Sequence, residues 1–246
     1  MASTIGKQDE LQIKHVALQQ WRYERKISRK EIIASEFVLG RNSCRADIAF
    51  YDGSGLAGVE IKSARDSLAR LDAQLETYQN CFEQVSLIAS ERHFPNVREK
   101  VPNTVNLYKV GADSSLSLVS AASTHSTPDR TASLRLLSNR ELRLALRLPA
   151  NEFTLQRSEL IDQSESLSYE EVRKAVFESF SKKFSSTSEE FWRVVGRRKI
   201  RAQHLRYLSP YRTKHEKLKK LKAKRASEST EWLKEARLVF GELKSG

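Results

Sequence analysis

The sequence predicts an α/β fold: a mixed central sheet flanked by helices, followed by a helical, basic C-terminal region. Three observations lead there. Two runs of period-two alternation, Arg45 to Tyr51 and Ala57 to Lys62, flank the turn Asp52-Gly53-Ser54-Gly55 and read as an antiparallel hairpin. Next, a helical stripe between Asp66 and Phe82 leads into the apolar run Val85 to Ala89, as in a crossover to a buried parallel strand. Beyond residue 132 the apolar spacing is helical throughout.

The elements follow in order. Residues 9–23 carry Leu11, Ile13, Val16, Leu18 and Trp21 among polar residues, an amphipathic helix. Ser28 with Glu31 has capping-box spacing and predicts a second helix through Ile32 and Ile33, with Glu36 at its end. The hairpin comes next. In the helix predicted over 66–82, Leu68, Leu71, Leu75, Tyr78 and Phe82 form the buried stripe. Thr104 to Val110 and Leu116 to Val119 read as further strands. Ser120 to Ala132 is rich in Ser, Thr and Pro and predicts a linker. Ser138 with Glu141, Ser168 with Glu171 and Thr187 with Glu190 predict three capped helices, and two more lie around Lys214 to Lys224 and Trp232 to Phe240. The expected organisation is therefore a domain over 1–122, a linker over 123–135 and a helical basic region over 136–246.

Charge separates these parts. Residues 1–125 carry 16 Lys/Arg against 15 Asp/Glu, whereas residues 126–246 carry 27 against 16, so nearly all of the net charge of +12 lies in the second half. Arg193 to Arg225 holds 14 basic residues and only Glu216 in opposition, interleaved with His204, Tyr207, Tyr211 and His215. Such a footprint suits a polyanion: cations contact phosphates and aromatics stack on unpaired bases. Arg197, Arg198, Lys199, Arg201 and Arg206 are the expected contacts, with nucleic acid, DNA foremost, as partner. The opening residues lack an apolar leader and no run reaches membrane-spanning length, so a cytoplasmic protein without membrane contact is expected. Cys44 and Cys81 lack CxxC spacing and are expected to be free thiols; the scattered histidines, His93 and His125 included, are expected to be structural or surface residues.

The hairpin carries the chemistry. Folded about the midpoint of Gly53 and Ser54, it sets Asp47 directly across from Glu60. Facing carboxylates repel, so a sheet gains nothing from the pair. A divalent cation, which prefers carboxylate oxygens, makes a site of it. Lys62 lies two residues along on the same face, suited to a metal-bound water. In the following helix Asp66, Arg70, Gln74 and Tyr78 are spaced by four, a polar wall in which Arg70 suits phosphate and Tyr78 serves either face; the plain alternative is a solvated face with an Asp66–Arg70 pair.

The set Asp47, Glu60 and Lys62, followed by Gln74-x-x-x-Tyr78, resembles the PD-(D/E)xK nuclease superfamily, particularly its RecB-like branch. The longer string of Glu36, RAD, EIKS and DxLxRLxxQxxxY is similar to a small bacterial and phage family within it, over about residues 16–120, although no proline precedes Asp47. The resemblance implies a restriction-endonuclease-like fold and a Mg²⁺-dependent phosphodiesterase, with Mn²⁺ as a substitute. It implies that Asp47, Glu60 and the Ile61 carbonyl hold the metal, that Lys62 orients or deprotonates the attacking water and that Glu36 completes the acidic cluster; the polar wall of the helix itself offers Gln74 for the water network or the scissile strand. Two alternatives stand beside it: a non-cleaving nucleic-acid-binding protein on the same fold, and a C-terminal region that docks a protein through Phe180, Phe184 and Trp192.

Overall fold

The computed structural model describes residues 9–40, 44–111, 113–149 and 155–209. Its centre is a six-stranded mixed sheet in the order β1 (Ile32–Val38), β2 (Arg45–Tyr51), β3 (Leu56–Lys62), β4 (Gln84–Ser90), β5 (Val105–Val110) and β6 (Leu116–Ser120). Strands β1 to β3 run antiparallel, β4 and β5 lie parallel to β3, and β6 turns back antiparallel. The hairpin register is the expected one, with Ile48 opposite Val59 and Ala49 opposite Gly58. Its turn is held by Asp52, whose carboxylate accepts from the Ser54 N–H and hydroxyl and from the Gly55 N–H.

Helices cover both faces because alternate side chains of the sheet are apolar on both. On one face α1 (Glu10–Tyr23) packs Ile13, Leu18 and Trp21 against Ile33, Ile48, Val59, Ile61 and Ile88. On the other, α2 (Leu71–Cys81) sets Leu75, Tyr78 and the adjoining Phe82 against Leu87 and Leu107. A Cβ on Gly58 would lie 2.3 Å from ring carbons of the fully buried Phe82, so only glycine lets that ring close on β3. Gly58→Ala is expected to lower stability by about 1–3 kcal/mol in a urea melt.

After β4, the short α3 (Phe94–Arg98) precedes β5. From residue 130 the described chain is helical: α4 (Arg130–Leu136), α5 (Asn139–Ala145), α6 (Arg157–Gln163), the 27-residue α7 (Tyr169–Val195), and 3-10 turns at Ser164–Ser166 and Ala202–Leu208. Both capping boxes expected at Ser138/Glu141 and Ser168/Glu171 form. Helix α7 lays Val172, Val176, Phe180 and Phe184 in one core and Phe191, Trp192 and Val195 in the other. Between them, the Ser188 hydroxyl donates to the Glu31 carbonyl and accepts from the Ile33 N–H, which closes the outer edge of β1.

Four expectations need correction. Residues 32–38 form a strand, not a helix: Glu31 does bond back to the Ser28 N–H, but this closes a turn rather than a helix. Helix α2 starts at Leu71 rather than Asp66, because the Asp66 carboxylate turns back to accept from the Ser63 N–H and hydroxyl at 2.7 and 2.6 Å. Thr187 caps nothing; it lies inside α7 with its hydroxyl on the Phe184 carbonyl. Finally, the segment expected to separate two domains is tied to the sheet layer. Ser123, Ser126 and Asp129 donate to the carbonyls of Asn103, Glu83 and Asn80, and Leu134 and Leu137 are buried. One compact unit runs to Ser209. The helices expected around Lys214 to Lys224 and Trp232 to Phe240, with Tyr211 and His215, lie outside the described residues. No helix among the described residues is long and apolar enough to cross a membrane.

Helix α5 is fastened to α7 through Glu141. Burial alone would raise its pKa, but hydrogen bonds from Ser138 and Ser179, with Lys183 at 3.2 Å, outweigh burial and hold it at about 2. A depressed folded pKa stabilises above the unfolded value of about 4.3 and is lost as pH falls from there towards 2. Urea melts between pH 6 and 2 are expected to show this acid loss in the wild type and a flatter acid limb in Glu141→Gln.

Candidate functional site

At the N-terminal half of α2 the sheet opens into a pocket of about 390 Å³, lined by Glu10, Glu36, Asp47, Glu60, Arg70 and Gln74, with Cys44, Arg45, Ala73 and Thr77. Strand alternation sends Glu60 and Lys62 towards α2, and the crossover lays α2 over them, so Gln74 and Tyr78 arrive one helical turn apart on the same carboxylate.

The resulting network is closed. Glu60 Oε1 lies 2.7 Å from Lys62 Nζ and accepts from Gln74 Nε2 at 2.7 Å. Lys62 Nζ donates in turn to Gln74 Oε1 at 2.7 Å. The Tyr78 hydroxyl donates to Glu60 Oε2 at 2.6 Å. Both Glu60 and Lys62 are buried, at 3% and 6% exposure, where an ion survives only when paired and hydrogen-bonded. Tyr78 is fully buried, which together with the Glu60 carboxylate pushes its pKa far up, so it remains a neutral donor.

Asp47 stands on β2 at the same hairpin register. Its Oδ2 accepts from the Ile61 N–H at 2.7 Å, which ties it to β3 next to Glu60. Burial first, and then the Glu60 charge, raise its pKa well above the usual carboxylate range. An acid held in that way is a candidate for a functional role. Glu36 faces the same pocket from β1 with a φ of 60°. A glutamate in the left-handed region is strained by about 1–3 kcal/mol, and such strain gathers at functional sites.

The site holds two residues that the sequence reading missed, Glu10 and Lys14 of α1. Carboxylate oxygens of Glu10, Glu36 and Asp47 all lie within 4.8 Å of one another. Lys14 Nζ lies among them: 2.5 Å from Glu10, in direct contact with Glu36 and 3.7 Å from Asp47. Burial works against its charge, but Asp47, Glu10 and Glu36 together outweigh burial and raise its pKa. The signal available in the sequence was a lysine on the apolar face of an amphipathic helix, beside Ile13, Ala17 and Leu18.

The other expected site residues divide. Arg70, exposed at the start of α2, lines the pocket. Asp66 is occupied by its turn, so the stripe of four is reduced to Arg70, Gln74 and Tyr78. Tyr78 cannot stack on a base, since its ring is under the sheet's helical cover with 0% exposure. Arg197, Arg198, Lys199, Arg201 and Arg206 are all exposed, the first four in the segment linking α7 to the last 3-10 turn and Arg206 within that turn. Their field is felt locally: burial first, then Arg198, Arg201 and Arg206, lower the pKa of His204. Phe180, Phe184 and Trp192 are 1%, 4% and 4% exposed, so the residues that the alternative reading assigns to a protein-docking face are core instead. Cys44 and Cys81 are both free thiols, and burial pushes Cys81 up to about 12.

Fold and site together define an α/β protein whose mixed sheet carries a buried carboxylate–lysine–glutamine–tyrosine network at one open pocket. The sequence profile described as Bacteriophage P4 protein cII matches residues 4–209, and the chain belongs to that family. It is similar to Protein cII of Enterobacteria phage P4, with 29% identity over 221 residues that cover 87% of this chain and 83% of the relative. No solved structure matches the chain.

Proposed function

We propose that this protein is a metal-dependent nuclease of the PD-(D/E)xK type, acting on the phosphodiester bonds of DNA in the cytoplasm. The observation that carries the reading is the convergence of Asp47, Glu60 and Gln74 in one pocket, with Lys62 bonded to Glu60 and Gln74 and Tyr78 bonded to Glu60. The donor set suits a hard divalent cation such as Mg²⁺ or Mn²⁺, since it is made of carboxylate oxygens, one of them on an acid whose burial destabilises its charge. Asp47, Glu60 and the carbonyl of Ile61 would hold the ion, and Glu36 would add to the acidic field. When bound, the ion would polarise a phosphoryl oxygen and make its water more acidic.

The chain's own groups do the rest. Lys62, fixed by the pocket-lining Glu60 and Gln74, sets a positive charge next to them, near where negative charge on a phosphoryl group would build up. Gln74 sets the rotamer of both ions, and Tyr78 holds the far oxygen of Glu60. Arg70 at the mouth suits a phosphate of the incoming strand. The exposed cations from Arg197 to Arg206 suit the backbone of a longer strand without sequence readout. The two reduced thiols fit a reducing compartment.

Labelled single-stranded, duplex and branched DNA, incubated with the protein in Mg²⁺, Mn²⁺ or EDTA, tests the reading. Products that require metal are expected. Binding without cleavage on every substrate and metal would leave a non-cleaving nucleic-acid-binding protein, the reading favoured by a lysine already seated among Glu10, Glu36 and Asp47.

A further inference from the structure

Lys14 is a buried charge, in contact with acids that line the pocket, that the proposed chemistry does not use. Its side chain is 5% exposed, and from α1 its ammonium touches two carboxylates and approaches a third. If the role were only to fasten α1, one partner would suffice; Ile13, Ala17, Leu18 and Trp21 already bury the helix. The ammonium instead lies where oxygens of Glu10, Glu36 and Asp47 converge within 4.8 Å of one another, a donor set that could also take a metal ion.

We propose that Lys14 is a built-in cation of this pocket, filling its outer carboxylate cluster and limiting it to a single divalent ion at Asp47 and Glu60. The inference rests on the metal-binding part of the function proposed above. Charge supports it. Four acids, Glu10, Glu36, Asp47 and Glu60, gather here, and the buried ammonium groups are those of Lys14, against the first three, and Lys62, against Glu60. Arg45 reaches Glu36 at 3.6 Å from an exposed position and Arg70 sits at the mouth, so solvent screens both more than the two lysines. Lys14 is thus a positioning residue: it holds Glu36 and Asp47 in place while denying the Glu10–Glu36–Asp47 cluster to a second ion.

The test counts Mn²⁺ bound per chain by electron paramagnetic resonance, on the full-length protein without DNA, taking as pocket sites those lost in Asp47→Asn. One ion is expected in the wild type and in Lys14→Arg. Lys14→Met, of similar length but without charge, is expected to bind a second ion or to bind the first at least about tenfold more tightly, since a nearby positive charge has gone. Lys14→Gln gives the same comparison with a side chain that still bonds Glu36, so the outcome does not hang on one variant folding. A merely structural lysine would give the opposite sign, with weaker binding as the carboxylates drift apart. Two pocket ions in the wild type, or unchanged or weaker binding in both uncharged variants, would overturn the inference and leave the nuclease reading standing. No pocket ion in any form would overturn both.

Discussion

Lys62→Met is expected to lower single-turnover DNA cleavage by about 10²–10³-fold, the scale of losing one preorganised charge at a reacting centre. Lys62 is 6% exposed and bonds both Glu60 and Gln74 at 2.7 Å, so its position is set before any substrate arrives. Methionine keeps most of the volume and removes the charge. DNA binding is expected to be nearly unchanged, because the exposed cations over 197–206 and Arg70 remain. The split matters: a loss in turnover with affinity intact assigns Lys62 to the chemical step, whereas equal losses in both would make it part of the binding surface. Mn²⁺ affinity is a useful companion measurement, since Glu60 in the variant keeps its bonds from Gln74 and Tyr78.

The largest expected effect on stability is at Arg173. Its guanidinium is 4% exposed, donates to Glu83 Oε1 from Nε at 2.9 Å and from Nη2 at 2.5 Å, and bonds the Ser133 hydroxyl at 3.0 Å. The second oxygen of Glu83 accepts from the Leu56 N–H at the start of β3. One ion pair therefore joins α7, α4 and the hairpin, and the Arg173 cation also stands over the Phe177 ring. Removing one partner of a buried pair strands the other, at a cost of about 3–5 kcal/mol. Arg173→Leu is expected at the lower end, because the Glu83 side chain is 25% exposed and water can reach it. Denaturant melts of Arg173→Leu, Glu83→Gln and the double variant measure this. A double variant more stable than Arg173→Leu alone is expected, as the stranded carboxylate has gone; strict additivity would mean that the two residues act independently.

How far these features could be read beforehand depended on how local they were. The hairpin register was legible because period two and a four-residue turn leave one way to pair the strands, and Asp47 bonding the Ile61 N–H follows from it. The capping boxes at Ser138 and Ser168 were legible for the same reason, since both partners lie within one turn. Strand β1 was not. It is covered on both faces, so Ile33, Ala34 and Ser35 are all buried in succession and the alternation that marks a strand is lost. The apparent capping box at Ser28 and Glu31 then pointed to a helix.

Misplacing Glu36 on a helix also hid its partners. Lys14 finds Glu36 and Asp47 only once α1 crosses β1 and β2, contacts 22 and 33 positions apart in the chain. Nothing local announces such pairs. By contrast, the i, i+4 spacing of Val172, Val176, Phe180 and Phe184 was a core stripe in plain view, and the docking face that the alternative reading places there is part of the cover of β1.

The measurement that tests the central claim most directly is the cleavage rate of the best-cut DNA as Mg²⁺ is raised from zero, for the wild type and Glu60→Gln in parallel. The wild-type rate is expected to be absent in EDTA and to rise to saturation, with Glu60→Gln, which keeps the shape but not the charge, at background throughout. Cleavage that ignores Mg²⁺, or a Glu60→Gln protein as active as the wild type, would contradict a metal-dependent nuclease at this pocket.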